Sequence, residues 1–413
     1  MKKGQKRIKV FGVPFLALGK STTLSSSTKV KGRYRYDPSE WSWTPKKIQK
    51  VKDFDKTVKK DAKHGEYAVR TNYEPGKKRQ KIVLCFSLGG EAENILYNLK
   101  KKGIKYFYLS YTDFMLLGRV SIIFDGEYEK KILSIIDVKL DLDDVACVLW
   151  TGPDASLPSW DMFSSDFYRK GQSKDFFIYQ RRWSQLLKDL KGLLPKGTKW
   201  LPSDPFNGSQ EWQNKHGEYS IARRVGMNTP PTICTNSYED LKAFAKKHGN
   251  ELLFREFSCP PYNLPIKKIN LSRIKDLSRL KASPCTFQKY VDKEYELRIV
   301  YLGGNVYPCK IHSQDSKIEA ARFDWRVYDN PNVKWELSSI PVSLKRKILK
   351  LMKILDLEWG SLDFIRSTDG KYYFLEVNRP GAYYWLESFV GLELGKIISE
   401  YLIEKVNIDT YRA

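Results

Sequence analysis

The 413-residue chain is 41% hydrophobic and 14% aromatic, enough to close a large core over two or three domains and to exclude wholesale disorder. It has no apolar run of membrane-span length, its basic start is interrupted by Gly12 and Pro14, and its six cysteines are scattered singly beside only four histidines. These features exclude a membrane span, a signal peptide and a zinc site, and they set the expectation of a cytoplasmic protein.

Residues 1–80 hold +15 of the net charge of +24 and end in the breaker YEPGKKRQ. They read as a basic, largely irregular extension with a short helix around Lys46–Lys60 and little share in the core. Such an arm suits RNA, a membrane surface or an acidic peptide, and equally a solvated tail. Its GKST has no P-loop meaning, because the earlier glycine that motif needs falls at Pro14, which has no amide to donate.

Residues 81–205 are expected to form a small α/β domain. KIVLCFSL has the continuous apolar character of a buried parallel strand, GGEAENILYNLKKKG is a helix closed by Gly103, and IKYFYLSYTDF is a second strand. This is a βαβ opening without a GxGxxG fingerprint. A strand pair containing SIIFDG, the strand DDVACVLWTG and a helix within Asp161–Leu194 follow. In residues 206–413, NKHGEYSIARRVG is a helix and TPPTICTN is extended. SYEDLKAFAKKHG is a helix capped by Ser237, with Asp240 three residues on. From Glu251 to about Val406 strands and helices alternate. The cysteines, in contexts such as IVLCFSL and VACVLW, read mostly as reduced core residues.

The chemistry concentrates in the last third. LDFIR and YYFLEVN read as antiparallel strands joined by STDG, with Gly370 where such a turn favours it. Alternation puts Asp363 on one face of the first strand and Glu376 and Asn378 together on one face of the second. Two carboxylates and an amide oxygen make a hard ligand set of the kind that holds Mg²⁺ against phosphates. Upstream, FQKYV reads as an extended linker whose Gln288, Tyr290 and Val291 meet an adenine ring. On the strand KEYELRIVYL, Glu296 and Arg298 share a face. An E-x-R pair on a strand is commonly a surface ion pair, but its place before the acid hairpin favours ribose for Glu296 and phosphate for Arg298. CKIHSQDSKIEAARFDWRVYD reads as a loop and strand edge over a reacting phosphate, with Arg326 stabilising an acyl phosphate and His312 left unassigned. Arg255, on the buried strand LLFREFS, faces a ligand or a buried acid.

This order (a strand cation, FQxxV, ELR, SQ…DWR, then D-x12-E-x-N running into YYWLE) resembles the ATP-grasp ligases that mature microviridins and related graspetides, over roughly Lys81 to Val406. The resemblance implies an ATP-grasp fold of α/β (α+β) class, preceded by the small βαβ domain and the basic extension. It implies ATP and Mg²⁺ as cofactors and an acyl phosphate formed on an Asp or Glu side chain of a precursor peptide. A Ser, Thr or Lys side chain of the same peptide then displaces phosphate to give an ester or amide ring. It makes Asp363, Glu376 and Asn378 the metal ligands, Glu296 the ribose contact, and Arg298 and Arg326 phosphate contacts. Arg255 departs from the lysine usual in the family, which keeps the charge and alters phosphate geometry.

The family's leader-peptide grip corresponds to PIKKINLSRIKDL, with Lys267, Lys268 and Arg273. The extension's VPFLAL and PSEW are similar to leader and core elements of microviridin precursors, so the chain's own N-terminal segment is a second candidate substrate beside the plain basic arm. A homodimer is common among the enzymes it resembles. Two other readings stay open: an ATP-grasp ligase with an amino-acid or small-molecule acceptor, and a nucleic-acid-binding protein acting through its arm. The second leaves the buried acids of the hairpin unexplained.

Overall fold

The computed structural model describes residues 7–10, 13–16, 73, 81–87, 92–110, 118–135, 138–151, 173–204, 215–255, 266–274, 277–325, 333–379 and 383–406. The expected helix around Lys46–Lys60 and Arg326 lie outside them. In the extension, β1 (Arg7–Val10) pairs antiparallel with β2 (Val13–Leu16), a hairpin within the arm read as largely irregular.

The first lobe opens with the expected unit of β3 (Ile82–Ser87), α1 (Glu93–Lys101) and β4 (Tyr106–Ser110), with the two strands parallel. A three-stranded antiparallel ribbon follows, β5 (Gly118–Asp125), β6 (Tyr128–Ile135) and β7 (Val138–Asp141). Then come β8 (Val145–Thr151), α2 (Ser173–Leu193) and β9 (Lys199–Leu201), completing a parallel sheet of order β4-β3-β8-β9. β3 is buried along its whole length because both faces are covered. Val83 and Cys85 pack toward Ile95 and Leu99 of α1, while Leu84 and Phe86 pack toward Leu187 and Leu190 of α2.

Tyr73 gives residues 1–80, of which little share in the core was expected, one residue within it. It is buried in the same cluster, its ring lies edge-on to Phe107 at 6.2 Å, and its hydroxyl donates to Asp144 Oδ2 at 2.7 Å. A chain starting near residue 79 should therefore be about 3 kcal/mol less stable than one starting near residue 70, the usual loss for a buried aromatic side chain. Equal denaturant midpoints for the two would contradict this.

The second lobe begins with α3 (Lys215–Arg224). It continues through β10 (Thr232–Thr235), α4 (Tyr238–His248), β11 (Glu251–Arg255), β12 (Lys267–Asn270) and β13 (Cys285–Lys289), with an antiparallel sheet of order β10-β13-β11-β12. Ser237 caps α4 as expected, its Oγ accepting from Asp240 N at 3.1 Å. Phe287 and Gln288 belong to β13, an inner strand of this sheet, and only Tyr290 and Val291 of FQKYV lie in the connection beyond it. PIKKINLSRIKDL supplies β12 and a short 3₁₀ turn, Leu271–Arg273.

A five-stranded antiparallel sheet forms the rest, from β14 (Lys293–Leu302), β15 (Asn305–Ile311), α5 (Glu319–Phe323), β16 (Trp335–Leu337), α6 (Val342–Ile354), β17 (Trp359–Ser367) and β18 (Tyr372–Asn378). Its order is β16-β15-β14-β17-β18. The segment read as a loop and strand edge holds, before Arg326, the end of β15, a 3₁₀ turn and α5. β17 and β18 are the expected hairpin, turning at Gly370 with φ +84°. One face buries Leu297, Ile299, Leu362 and Phe364 against α3 and α6. The other buries Val300 and Trp359 in a core shared with the first lobe, α7 (Tyr384–Val390) and α8 (Leu394–Val406).

That joint is tight: a Cβ on Gly395 of α8 would stand 2.6 Å from Asn94 Cβ of α1. Glu387 of α7 ties it together, accepting from Gly395 N at 2.5 Å and from the Asn94 amide. Cys85, Cys147 and Cys309 are buried as expected, with burial pushing the Cys147 and Cys309 thiols up to about 12. Cys234 is exposed and Cys285 half-buried, against the core reading. No helix among the described residues is long and apolar enough to cross a membrane.

Candidate active site

Register brings the polar residues together. In an antiparallel ladder directly opposed residues point to the same side. Arg298 of β14 opposes Asp363 of β17, Asp363 opposes Glu376 of β18, and Ser361 opposes Asn378. The three proposed ligands thus converge on the half of the sheet face that the Val300–Trp359 core leaves open. Asp363 and Glu376 are 5% and 6% exposed. Between Asp363 and Phe364 the register shifts by one residue, so that Phe364 opposes Phe374 while Asp363 opposes Glu376. Leu375 is the extra residue of a β-bulge. Without it, Glu376 and Phe374 would share a face; with it, Phe374 enters the core and Leu375 and Glu376 both line the cleft.

Each carboxylate has a cation. Arg298 Nη1 reaches Asp363 Oδ2 at 2.7 Å and Oδ1 at 2.9 Å, and Asn378 Nδ2 lies 3.2 Å from Asp363 Oδ2. Lys215 Nζ, from the first turn of α3, lies 2.6 Å from Glu376 Oε2, and Arg255 Nη2 lies 4.0 Å from the same oxygen. Arg255 therefore faces a buried acid at the cleft, which unites the two readings of it. Its Nη1 donates to Gln288 Oε1 at 3.3 Å, and Gln288 Nε2 donates to Tyr219 OH and to Thr232 Oγ1, both at 2.9 Å. Gln288 thus holds Arg255 in place, a part that the linker reading did not foresee.

The cleft between the two sheets is lined by Arg255, Gln288, Tyr290, Val291, Glu296, Asp324, Trp325, Asp363 and Glu376 among others. Glu296 is buried; its Oε1 accepts from Lys293 Nζ at 2.7 Å, while Oε2 has no hydrogen-bond partner among the described residues. His312 stands apart, its Nε2 2.9 Å from Glu336 Oε1. Lys268, expected to meet a peptide, pairs with Glu251 at 2.9 Å. Its ammonium lies 5.1 Å from the ring centre of Tyr290, at the edge of the cleft. Lys267 is half-buried on β12 and Arg273 is exposed in the 3₁₀ turn.

Lys215 and Glu218 were missed by the sequence reading. Burial pushes the Glu218 carboxyl up to about 7, against the opposing pull of the hydrogen bond from Val377 N and the charge of Arg379. The folded carboxyl keeps its proton to higher pH than the ordinary 4.5, so the burial penalty is absent below about 4.5 and complete above about 7. Raising the pH from 5 to 8 should therefore cost wild type about 2–3 kcal/mol relative to Glu218→Gln. Parallel pH profiles in urea unfolding would contradict this.

A cleft between two antiparallel sheets, floored by a paired acid hairpin and lined by buried cations, belongs to the ATP-grasp fold, and the chain has that fold. Among solved structures it is similar to the RiPP-associated ATP-grasp ligase of Chryseobacterium gregarium in complex with ADP and a leader and core peptide. The identity is 22% over 79% of this chain and 97% of that one, with a TM-score of 0.66. The macrocyclase MdnC of Microcystis aeruginosa, bound with the precursor peptide MdnA, matches at 23% identity over 78% and 99%, TM-score 0.65. The ATP-grasp ligase PsnB with minimal precursor, Mg and ADP matches at 15% over 81% and 100%, TM-score 0.62. No family model and no curated protein matches the chain.

Proposed function

We propose that the chain is an Mg·ATP-dependent ligase that activates an Asp or Glu side chain of a peptide as an acyl phosphate and closes an ester or amide ring. The observation that carries this is the juxtaposition of Asp363 and Glu376 across β17 and β18, with Asn378 beside them, on the floor of the cleft between the two sheets. Among the described residues no three His, Cys, Asp and Glu side chains gather as a self-sufficient metal site. Two carboxylates and an amide suit Mg²⁺, which takes its remaining oxygens from water and phosphate. Bound there, the ion neutralises the phosphate charge that develops during transfer.

The chain's own residues do the rest. Glu296, with Oε2 lacking a partner among the described residues, accepts from a ribose hydroxyl; Gln288, Tyr290 and Val291 line the cleft and meet the adenine. Arg255, Lys215 and Arg298 hold phosphate oxygens, and Arg326 stabilises the acyl phosphate. The peptide carboxylate attacks the γ-phosphorus and ADP leaves. A hydroxyl or amine of the same peptide then attacks the acyl carbon, gives up its proton, and phosphate departs with one of the original carboxylate oxygens. Lys267, Lys268 and Arg273 are the residues of PIKKINLSRIKDL read as meeting a leader peptide.

The three similar ligases whose complexes contain precursor or leader peptide support a peptide as the acceptor. The N-terminal segment and a homodimer are extensions of that reading. Mass spectrometry of the full-length chain incubated with Mg·ATP tests the segment as substrate: loss of water within residues 20–45, absent in Glu376→Gln, supports it, and an unchanged mass rejects it.

A further inference from the structure

The outer edge of β18 is where the fold ties its chemistry down least. β18 is the last strand of its sheet, and the bulge at Leu375 interrupts its pairing with β17 just before Glu376. A slip of one residue would turn Glu376 from the cleft to the core, because the side-chain period of a strand is two. Among the described residues, Asn228 and Glu218 hold the backbone of the free edge. Before the bulge, Phe374 N donates to Asn228 O at 2.9 Å. Beyond it, Val377 N donates to Glu218 Oε2 at 3.1 Å.

Val377 lies between Glu376 and Asn378, and Glu218 is 1% exposed, one turn beyond Lys215 on α3. The charged groups facing Glu218 are Arg379, with Nη2 3.8 Å from Oε1, and the more distant Glu376 and Lys215. The helix therefore grips β18 twice within one turn, once at the Glu376 side chain and once at the next backbone amide.

We infer that Glu218 is a positioning residue of the site: from outside the cleft, its bond to Val377 N fixes the register of β18 past the bulge and so aims Glu376 and Asn378 at the metal. The inference rests on the reading of those two residues as ligands. It assigns the bond, rather than the charge near Arg379, as the working contact.

Three variants separate these terms. Glu218→Gln keeps an acceptor oxygen at the same reach, Glu218→Asp withdraws it by one methylene, and Glu218→Leu removes it. Two readouts follow each variant: hydrogen exchange of the peptide spanning Leu375–Asn378 in the nucleotide-free chain, and the Mg²⁺ concentration giving half-maximal ATP turnover. For Glu218→Asp and Glu218→Leu, exchange should quicken about 10-fold or more. The half-saturating Mg²⁺ should rise about 10-fold, with a smaller change in kcat at saturating metal. Glu218→Gln should stay within about twofold on both counts, and Glu218→Asp carries the comparison if Glu218→Leu does not fold. Wild-type exchange and wild-type Mg²⁺ dependence in Glu218→Asp, or impairment of Glu218→Gln as deep as that of Glu218→Asp, would overturn the inference. Lost protection with unchanged Mg²⁺ dependence would overturn it differently, by removing Glu376 and Asn378 as ligands.

Discussion

Glu376→Gln and Asp363→Asn should each lower Mg·ATP turnover by about 10²-fold, since each takes a hard anionic oxygen from the ion that holds the triphosphate. Both variants keep an amide oxygen and remove an anion from a buried cation, Asp363→Asn from Arg298 and Glu376→Gln from Lys215 and Arg255, so both should also unfold at lower denaturant than wild type. Turnover within about twofold of wild type in either variant would show that the hairpin acids do not carry the metal.

The second large effect concerns the buried pair of Arg298 and Asp363, at 3% and 7% side-chain exposure. Removing one partner of such a pair leaves the other charge uncompensated, so Arg298→Leu should be destabilised by about 3–5 kcal/mol. Replacing both by leucine removes the stranded charge, and the double variant should recover most of that loss. It should nevertheless stay inactive, because neither the phosphate contact nor the carboxylate is restored. Urea unfolding and ATP turnover on the two variants separate the structural term from the chemical one. A double variant no more stable than Arg298→Leu would mean that the cost lies in packing, and an active one would move the chemistry elsewhere.

The acid hairpin was legible because its signals are local. Alternation places Glu376 and Asn378 together, Gly370 marks the turn, and carboxylates in apolar strands demand cations. The bulge at Leu375 left no mark in the sequence: a regular strand would have put Phe374 and Glu376 on one face, and only the pairing with β17 shows otherwise. Lys215 and Glu218 sit in a helix that was correctly read, yet their partners are about 160 residues away, and helical periodicity says nothing about which strand a polar turn will meet. FQKYV was read as a linker because it is short and mixed, whereas its first half completes a sheet through partners on β10 and β11. Tyr73 was hidden by its setting, one aromatic residue in a basic, breaker-rich stretch, and its burial depends on Asp144 in another part of the chain. Arg255 shows the opposite case, since a cation on a buried strand had to meet an acid or a ligand, and Glu376 on the floor of the cleft offers both.

The most direct test of the proposed chemistry follows the carboxylate oxygen. Peptides carrying Asp or Glu with ¹⁸O-labelled side-chain carboxylates, together with Ser, Thr and Lys, are incubated with the full chain and Mg·ATP, and the phosphorus products and peptide masses are read. Activation as an acyl phosphate predicts ADP, inorganic phosphate bearing one ¹⁸O for each ring closed, and a peptide lighter by one labelled water. AMP with pyrophosphate, or phosphate free of ¹⁸O beside a cyclised peptide, would contradict it.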